Sequence, residues 1–149
     1  MFFNVNDVQQ FQQQKDFIDT ALVPLLSLDF KEAKIKQSSS AAEFLMSLTA
    51  FIEQQFKGRL MLVPPFSYTE QTRNGVSVEL LKKEMEDAGF KHVFFITCDH
   101  YWTSFQEQLD VIWLPSIPLE SMDTGVKQSI LQNQLNQVIP TFTSKWFQV

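Results

Sequence analysis

The sequence predicts a single α/β domain over residues 1–149: three layers, with a mainly parallel, Rossmann-like sheet of four or five strands flanked by helices. Three observations carry this expectation. Two successive strand, helix, strand units run from Thr20 to Thr97, a spacing that suits crossover connections better than hairpins. The segment His92-Val93-Phe94-Phe95-Ile96-Thr97 is apolar at four successive positions, Val93 to Ile96, as suits a strand buried on both faces. A hydrophobic fraction of 44% with 15 phenylalanines supplies core for one ordinary domain of 149 residues.

The elements follow in order. A first helix starts at Asn6 or Asp7 and reaches about Lys15, with Val8 and Phe11 on one side. Thr20–Leu28 reads as a strand, in which Pro24 lacks an amide donor and belongs near an edge, a bulge or the strand's beginning. Ser40-Ala41-Ala42-Glu43 has the spacing of a capping box. The helix it opens turns Phe44, Leu45, Leu48, Phe51, Ile52 and Phe56 inward and Glu43, Ser47, Glu53 and Gln54 toward water. Gly58 ends it in a left-handed conformation.

Arg59–Val63 forms the next strand, stopped by Pro64-Pro65, and Phe66–Gly75 is a polar, turn-rich connection with an Asn74-Gly75 turn. Ser77 caps a helix whose apolar stripe is Leu80, Leu81, Met85 and Ala88, and Gly89 ends it. After the His92–Thr97 strand, Tyr101–Gln108 has room for only about two helical turns, which predicts a reduced crossover. Leu109–Leu114 is another strand, left through the Pro115–Pro118 turn. A last helix runs from about Asp123 to Val138 and breaks before Pro140. The remaining residues, 140–149, form an aromatic tail docked on the domain as an edge strand or a patch over the core. Within it Trp146 and Phe147 are candidates for contact with a protein partner or a second copy.

In an open parallel sheet the crevice lies outside the C-terminal strand ends. That rule gathers Asp29, the Pro64–Tyr68 turn, Cys98-Asp99-His100 and the Pro115–Pro118 turn on one rim. Cys98 would be a nucleophile if it were accessible and its thiolate stabilised, and otherwise a small buried apolar group. Asp99 and His100 would relay a proton if they touched, although Asp99 is well placed to cap the segment starting at Tyr101. Tyr68–Gly75 reads either as a solvated connection or as a lid. As a lid it would bring Tyr68 and Arg73 to a ligand, the guanidinium meeting a carboxylate or phosphate.

Other chemistries find no support. A formal charge of −5 speaks against a broad phosphate-binding surface, so no nucleic acid is predicted. The longest apolar runs fall short of the roughly 20 residues of a membrane span, and no basic leader precedes an apolar run, so the expectation is a cytoplasmic protein without membrane insertion. One cysteine allows neither an internal disulfide framework nor a four-cysteine zinc site. His92 and His100 stand at opposite ends of one strand, on the order of 20 Å apart, so no metal set is assigned. The dinucleotide and Walker fingerprints, H-E-x-x-H and G-x-S-x-G are missing, and no cofactor is predicted.

Three segments, Asn4-Val5-Asn6-Asp7, Phe17–Leu25 and Arg59–Tyr68, resemble the uncharacterised YpiF-like family of Bacillus and related Gram-positive bacteria, and the likeness runs through nearly the whole chain. The resemblance implies no reaction that could be placed on these residues. Two functional expectations remain open. The first is a noncatalytic cytoplasmic binding or protein-interaction domain. The alternative is a small-molecule enzyme or ligand-binding protein using the Cys98-Asp99-His100 region, with an anionic metabolite as its ligand.

Overall fold

The structure, a computed structural model, describes residues 1–148; Val149, the last residue of the expected tail, lies outside them. In chain order the elements are α1 (Val5–Gln13), β1 (Thr20–Ser27), α2 (Ile35–Gln55), β2 (Leu60–Leu62), β3 (Phe66–Tyr68), α3 (Gly75–Asp87), β4 (His92–Thr97), a 3-10 helix (His100–Phe105), β5 (Asp110–Trp113) and α4 (Thr124–Trp146). All five strands are parallel. β2 and β3 succeed each other along one side of β1, β4 lies on its other side, and β5 is outside β4. The chain therefore moves outward from β1 to β2 and β3, then crosses back over β1 to reach β4. Right-handed crossovers in opposite directions put their helices on opposite faces of the sheet.

Strand alternation feeds two cores. Ala21, Val23 and Leu25 of β1 join Val93, Phe95 and Val111 beneath α1, α3 and the 3-10 helix. Leu22 and Leu26 join Phe94, Ile96 and Ile112 beneath α2 and α4. A sheet covered on both faces explains why β4 is apolar at successive positions.

Several local expectations are overturned. Pro24 lies in the middle of the central strand rather than at an edge. Its tolerance has a geometric cause. Thr20 donates to Arg59 O, and Leu22 O accepts from Val63, so the even residues of β1 face β2 and β3. Pro24 accordingly turns its donor-free nitrogen toward the flank where Pro64-Pro65 interrupts the ladder, between the β2 and β3 pairings. Beyond that gap, Phe66–Tyr68, expected as a connection, is a strand paired with Leu25–Ser27.

The helix starts also differ. Asn4 caps α1, and Asn74, not Ser77, caps α3 by accepting from Val76 and Ser77 amides. α2 begins five residues before Ser40; the Ser40 hydroxyl instead donates to the Glu120 carboxylate at 3.0 Å. At its other end Phe56 is the cap, and Gly58 is not left-handed, since Gly89 alone among the described residues has positive φ, at 115°. Glu53, expected toward water, is buried and accepts from the Met1 amino group at 2.8 Å. In α3, Met85 is buried and Leu81 packs against the core as expected, whereas Leu80 and Ala88 are exposed and Val78, outside the expected stripe, is buried.

The largest correction is α4. It continues through Pro140 to Trp146, so the expected tail is helical as far as Trp146 and not an edge strand, while its Phe142 and Trp146 pack on the core. Proline inside a helix removes a bond to the preceding turn and costs about 3 kcal/mol. Packing offsets this: Phe142 is fully buried, with its ring 4.9 Å from Phe94 and 5.4 Å from Trp146.

Candidate functional site

β4 delivers its last buried residue, Thr97, to the sheet edge, where its hydroxyl donates to Leu25 O at 3.1 Å and accepts from the Asp99 amide at 2.9 Å. These bonds tie the exit of β4 to that of β1. They also turn the chain sharply, because Asp99 Oδ1 accepts from the Tyr101 amide at 3.1 Å and so starts the 3-10 helix. One side chain thus performs the turn and the cap.

The second Asp99 oxygen is also engaged. Oδ2 accepts from the Tyr68 hydroxyl at 2.8 Å and from Arg73 Nη1 at 3.2 Å. The Tyr68 oxygen in turn accepts from Trp102 Nε1 at 2.6 Å. Burial, reinforced by the Asp99 carboxylate, holds the Tyr68 hydroxyl well above the ordinary phenol range, so it stays a donor. Arg73 lies with its guanidinium carbon 3.7 Å from the centre of the Tyr101 ring, an arrangement favourable for a cation on an aromatic face. The Thr69–Asn74 connection is therefore pinned to the exit of β4 by charge and stacking, with Tyr68 and Arg73 turned to Asp99.

On the other side of Asp99 opens a crevice of about 300 Å³. Leu25, Leu26 and Ser27 of β1 form one wall, and Cys98, Asp99 and His100 form another. The side toward α2 is lined by Lys34, Gln37, Ser38, Ala41, Ala42 and Leu45, with Asp29 at the mouth. The crevice lies where the direction of strand addition reverses, between β1, which continues into α2 on one face, and β4, which continues into the 3-10 helix on the other. Diverging connections leave such an opening, and it is where open α/β sheets hold ligands.

Of the residues expected on one rim, Asp29, Cys98, Asp99 and His100 meet in this crevice. They do not form a catalytic relay. Burial pushes the Cys98 thiol up to about 11, leaving it protonated at neutral pH and a poor nucleophile. Asp99 is occupied by Tyr68, Arg73 and the Tyr101 amide, and the His100 ring instead meets Trp113 edge-on at 5.4 Å. His92 is at the far end of β4, its imidazole pushed below the usual range by burial. Among the described residues no three His, Cys, Asp or Glu are grouped to hold a metal ion. Among the described residues Ser27 Oγ, Gln37 and His100 make no side-chain hydrogen bond, leaving polar groups for a ligand; Ser38 Oγ is already used, donating to Ser27 O and accepting from the Asp29 amide.

The α2 wall is the part that the sequence reading missed. With the helix start set at Ser40, the segment Lys34–Ser39 had no place on the site. Its signal was nevertheless present: Ser38, Ala41, Ala42 and Leu45 follow the i, i+3, i+4, i+7 spacing of one helix face, and three of the four are small enough to leave space above the sheet.

Trp146 and Phe147 are separated in role. Trp146 Nε1 donates to Thr20 Oγ1 at 2.8 Å, and the Arg59 guanidinium lies 4.3 Å from the ring centre. Arg59 is itself held by both oxygens of Asp19, at 3.0 and 3.2 Å. This closes the end of the sheet remote from the crevice. Phe147 is 76% exposed.

Comparison with known proteins places these features in a family context. A family model described as "Protein of unknown function (DUF2487)" matches residues 9–146. The chain is similar to "Uncharacterized protein YpiF" of Bacillus subtilis (strain 168), with 30% identity over 148 residues that cover 98% of each chain. No solved structure matches.

Proposed function

Starting from the fact that the chain belongs to the DUF2487 family of proteins of unknown function, we propose that it is a noncatalytic cytoplasmic binding protein that holds a small molecule in the crevice between β1 and β4. The observation carrying this reading is the position of that crevice at the reversal of strand order, with an apolar floor and polar groups at its mouth. Its volume, about 300 Å³, is at the small end of ligand sites and suits a metabolite rather than a dinucleotide. The lack of catalysis is supported by a protonated Cys98 and by an Asp99 whose oxygens are taken by its own neighbours. A free thiol suits a reducing compartment. No helix among the described residues is long and apolar enough to cross a membrane.

The test is a metabolite library screened by amide NMR. Bound compounds are expected to shift Ser27, Ala42 and Cys98 signals, and Ala42→Trp or Ala41→Trp, each filling the crevice, is expected to abolish the shifts while keeping the folded spectrum. Shifts that map elsewhere, or survive both substitutions, refute the assignment. A second reading, association through the end of α4, is favoured by the exposure of Phe147. It predicts a dimeric mass by sedimentation that Phe147→Ser returns to monomeric; a monomer before substitution removes self-association.

A further inference from the structure

The crevice is lined by two opposite charges that are not paired with one another within 4 Å among the described residues. Lys34 and Asp29 both line it. The ion pairs within 4 Å among the described residues join Met1 to Glu53, Arg59 to Asp19, Arg73 to Asp99, Lys82 to Glu86 and Lys145 to Asp110; neither Lys34 nor Asp29 is among them. Asp29 Oδ1 accepts from the Lys31 amide at 3.1 Å, and Oδ2 has no hydrogen-bond donor among the described residues. The Lys34 ammonium has three donors, and no carboxylate lies within 4 Å of it among the described residues. Between these groups the floor is apolar, formed by Leu25, Leu26, Ala42 and Leu45 with the uncharged Cys98 thiol.

A complementary ligand needs an anionic group for Lys34, a cationic group for Asp29 and a short apolar body for the floor. Building on the binding role proposed above, we infer that the crevice recognises a small zwitterionic amino compound of the apolar amino-acid class. Its carboxylate meets Lys34 and Gln37, its ammonium meets Asp29 and Ser27, and its side chain covers Leu26 and Ala42. A phosphate monoester is a worse match. It brings up to two negative charges to a mouth where one lysine is balanced by one aspartate, and the guanidinium suited to it, Arg73, is held by Asp99 and Tyr101.

The experiment titrates the intact protein with L-leucine and L-phenylalanine, with leucinamide, which lacks the carboxylate, with isocaproate, which lacks the amine, and with glucose 6-phosphate. Amide NMR and calorimetry follow binding. The zwitterion is expected to shift Ser27, Ala42 and Cys98 and to bind at least about tenfold more tightly than leucinamide or isocaproate, a factor equivalent to about 1.4 kcal/mol. Lys34→Gln should erase the preference for leucine over leucinamide, and Asp29→Asn the preference over isocaproate. Binding in the crevice by glucose 6-phosphate or isocaproate in preference to both amino acids overturns the zwitterion and leaves the binding role standing. No shift at Ser27, Ala42 or Cys98 with any of these probes overturns the zwitterion, and a blank library screen as well overturns the binding role.

Discussion

Asp99 is the residue on which the rim depends. Its carboxylate receives a backbone amide, a tyrosine hydroxyl and a guanidinium, so three separate segments converge on two oxygens. Tyr68 is the most informative member to change. Tyr68→Phe removes a donor from Asp99 and leaves the buried Trp102 indole N–H without its acceptor. The expected cost is roughly 1–3 kcal/mol in urea denaturation, and a change within error would show that water or a neighbour replaces the hydroxyl without loss. Cys98 provides a test with a defined pH dependence. With its thiol pushed up to about 11 by burial, the reactive thiolate is scarce at pH 7. Its fraction rises about tenfold per pH unit until the pKa is reached. Alkylation by iodoacetamide should therefore keep accelerating from pH 7 to pH 10. A rate that levels off near pH 8.5 would indicate an ordinary exposed thiol.

Among the elements, α4 shows packing prevailing over local preference. Phe142→Ala should cost about 3–5 kcal/mol by removing a fully buried ring. Pro140→Ala should raise the thermal midpoint by restoring a helical amide without disturbing Phe142; a lower midpoint would mean that the proline sets a bend the packing needs. Proline's local preference predicts a break before Pro140, but the packing of Phe142 and Trp146 on the core governs this segment. Val138, Phe142 and Trp146 stand four apart, so the helical continuation was written in the apolar spacing even as the proline argued against it. β4 and β5 were readable because continuous apolar residues between clear breaks leave few alternatives. β3 was not, since Phe66-Ser67-Tyr68 is too short to have a period and becomes a strand only by pairing with β1. The same distinction holds at the site. Cys98, Asp99 and His100 could be placed on the rim from the end of one strand, whereas the Arg73–Asp99 pair joins residues 26 apart and leaves no local trace.

For the whole molecule, the sheet divides the interior into two cores of unequal support. α2 and α4 supply long helices over one face, while α1 contributes no fully buried residue to the other. Hydrogen exchange should reflect this: amides of β1 and β4, paired in the centre of the sheet, should open only with global unfolding, and those of α1 should exchange orders of magnitude faster. Equal protection in α1 and β4 would mean that the two faces unfold as one unit.

The prolines have a further consequence outside the folded monomer. On one flank of the sheet Pro64 and Pro65 interrupt the outer ladder, and Phe2 bridges to Leu62 beside them. On the other, Gln106 Nε2 donates to Val111 O on the outer side of β5 at 2.9 Å. Neither flank offers a long row of free peptide groups on which a neighbour's strand could template itself. Crowded solutions of the native protein should consequently resist fibril growth, and seeding should require conditions that first expose β1 or β4.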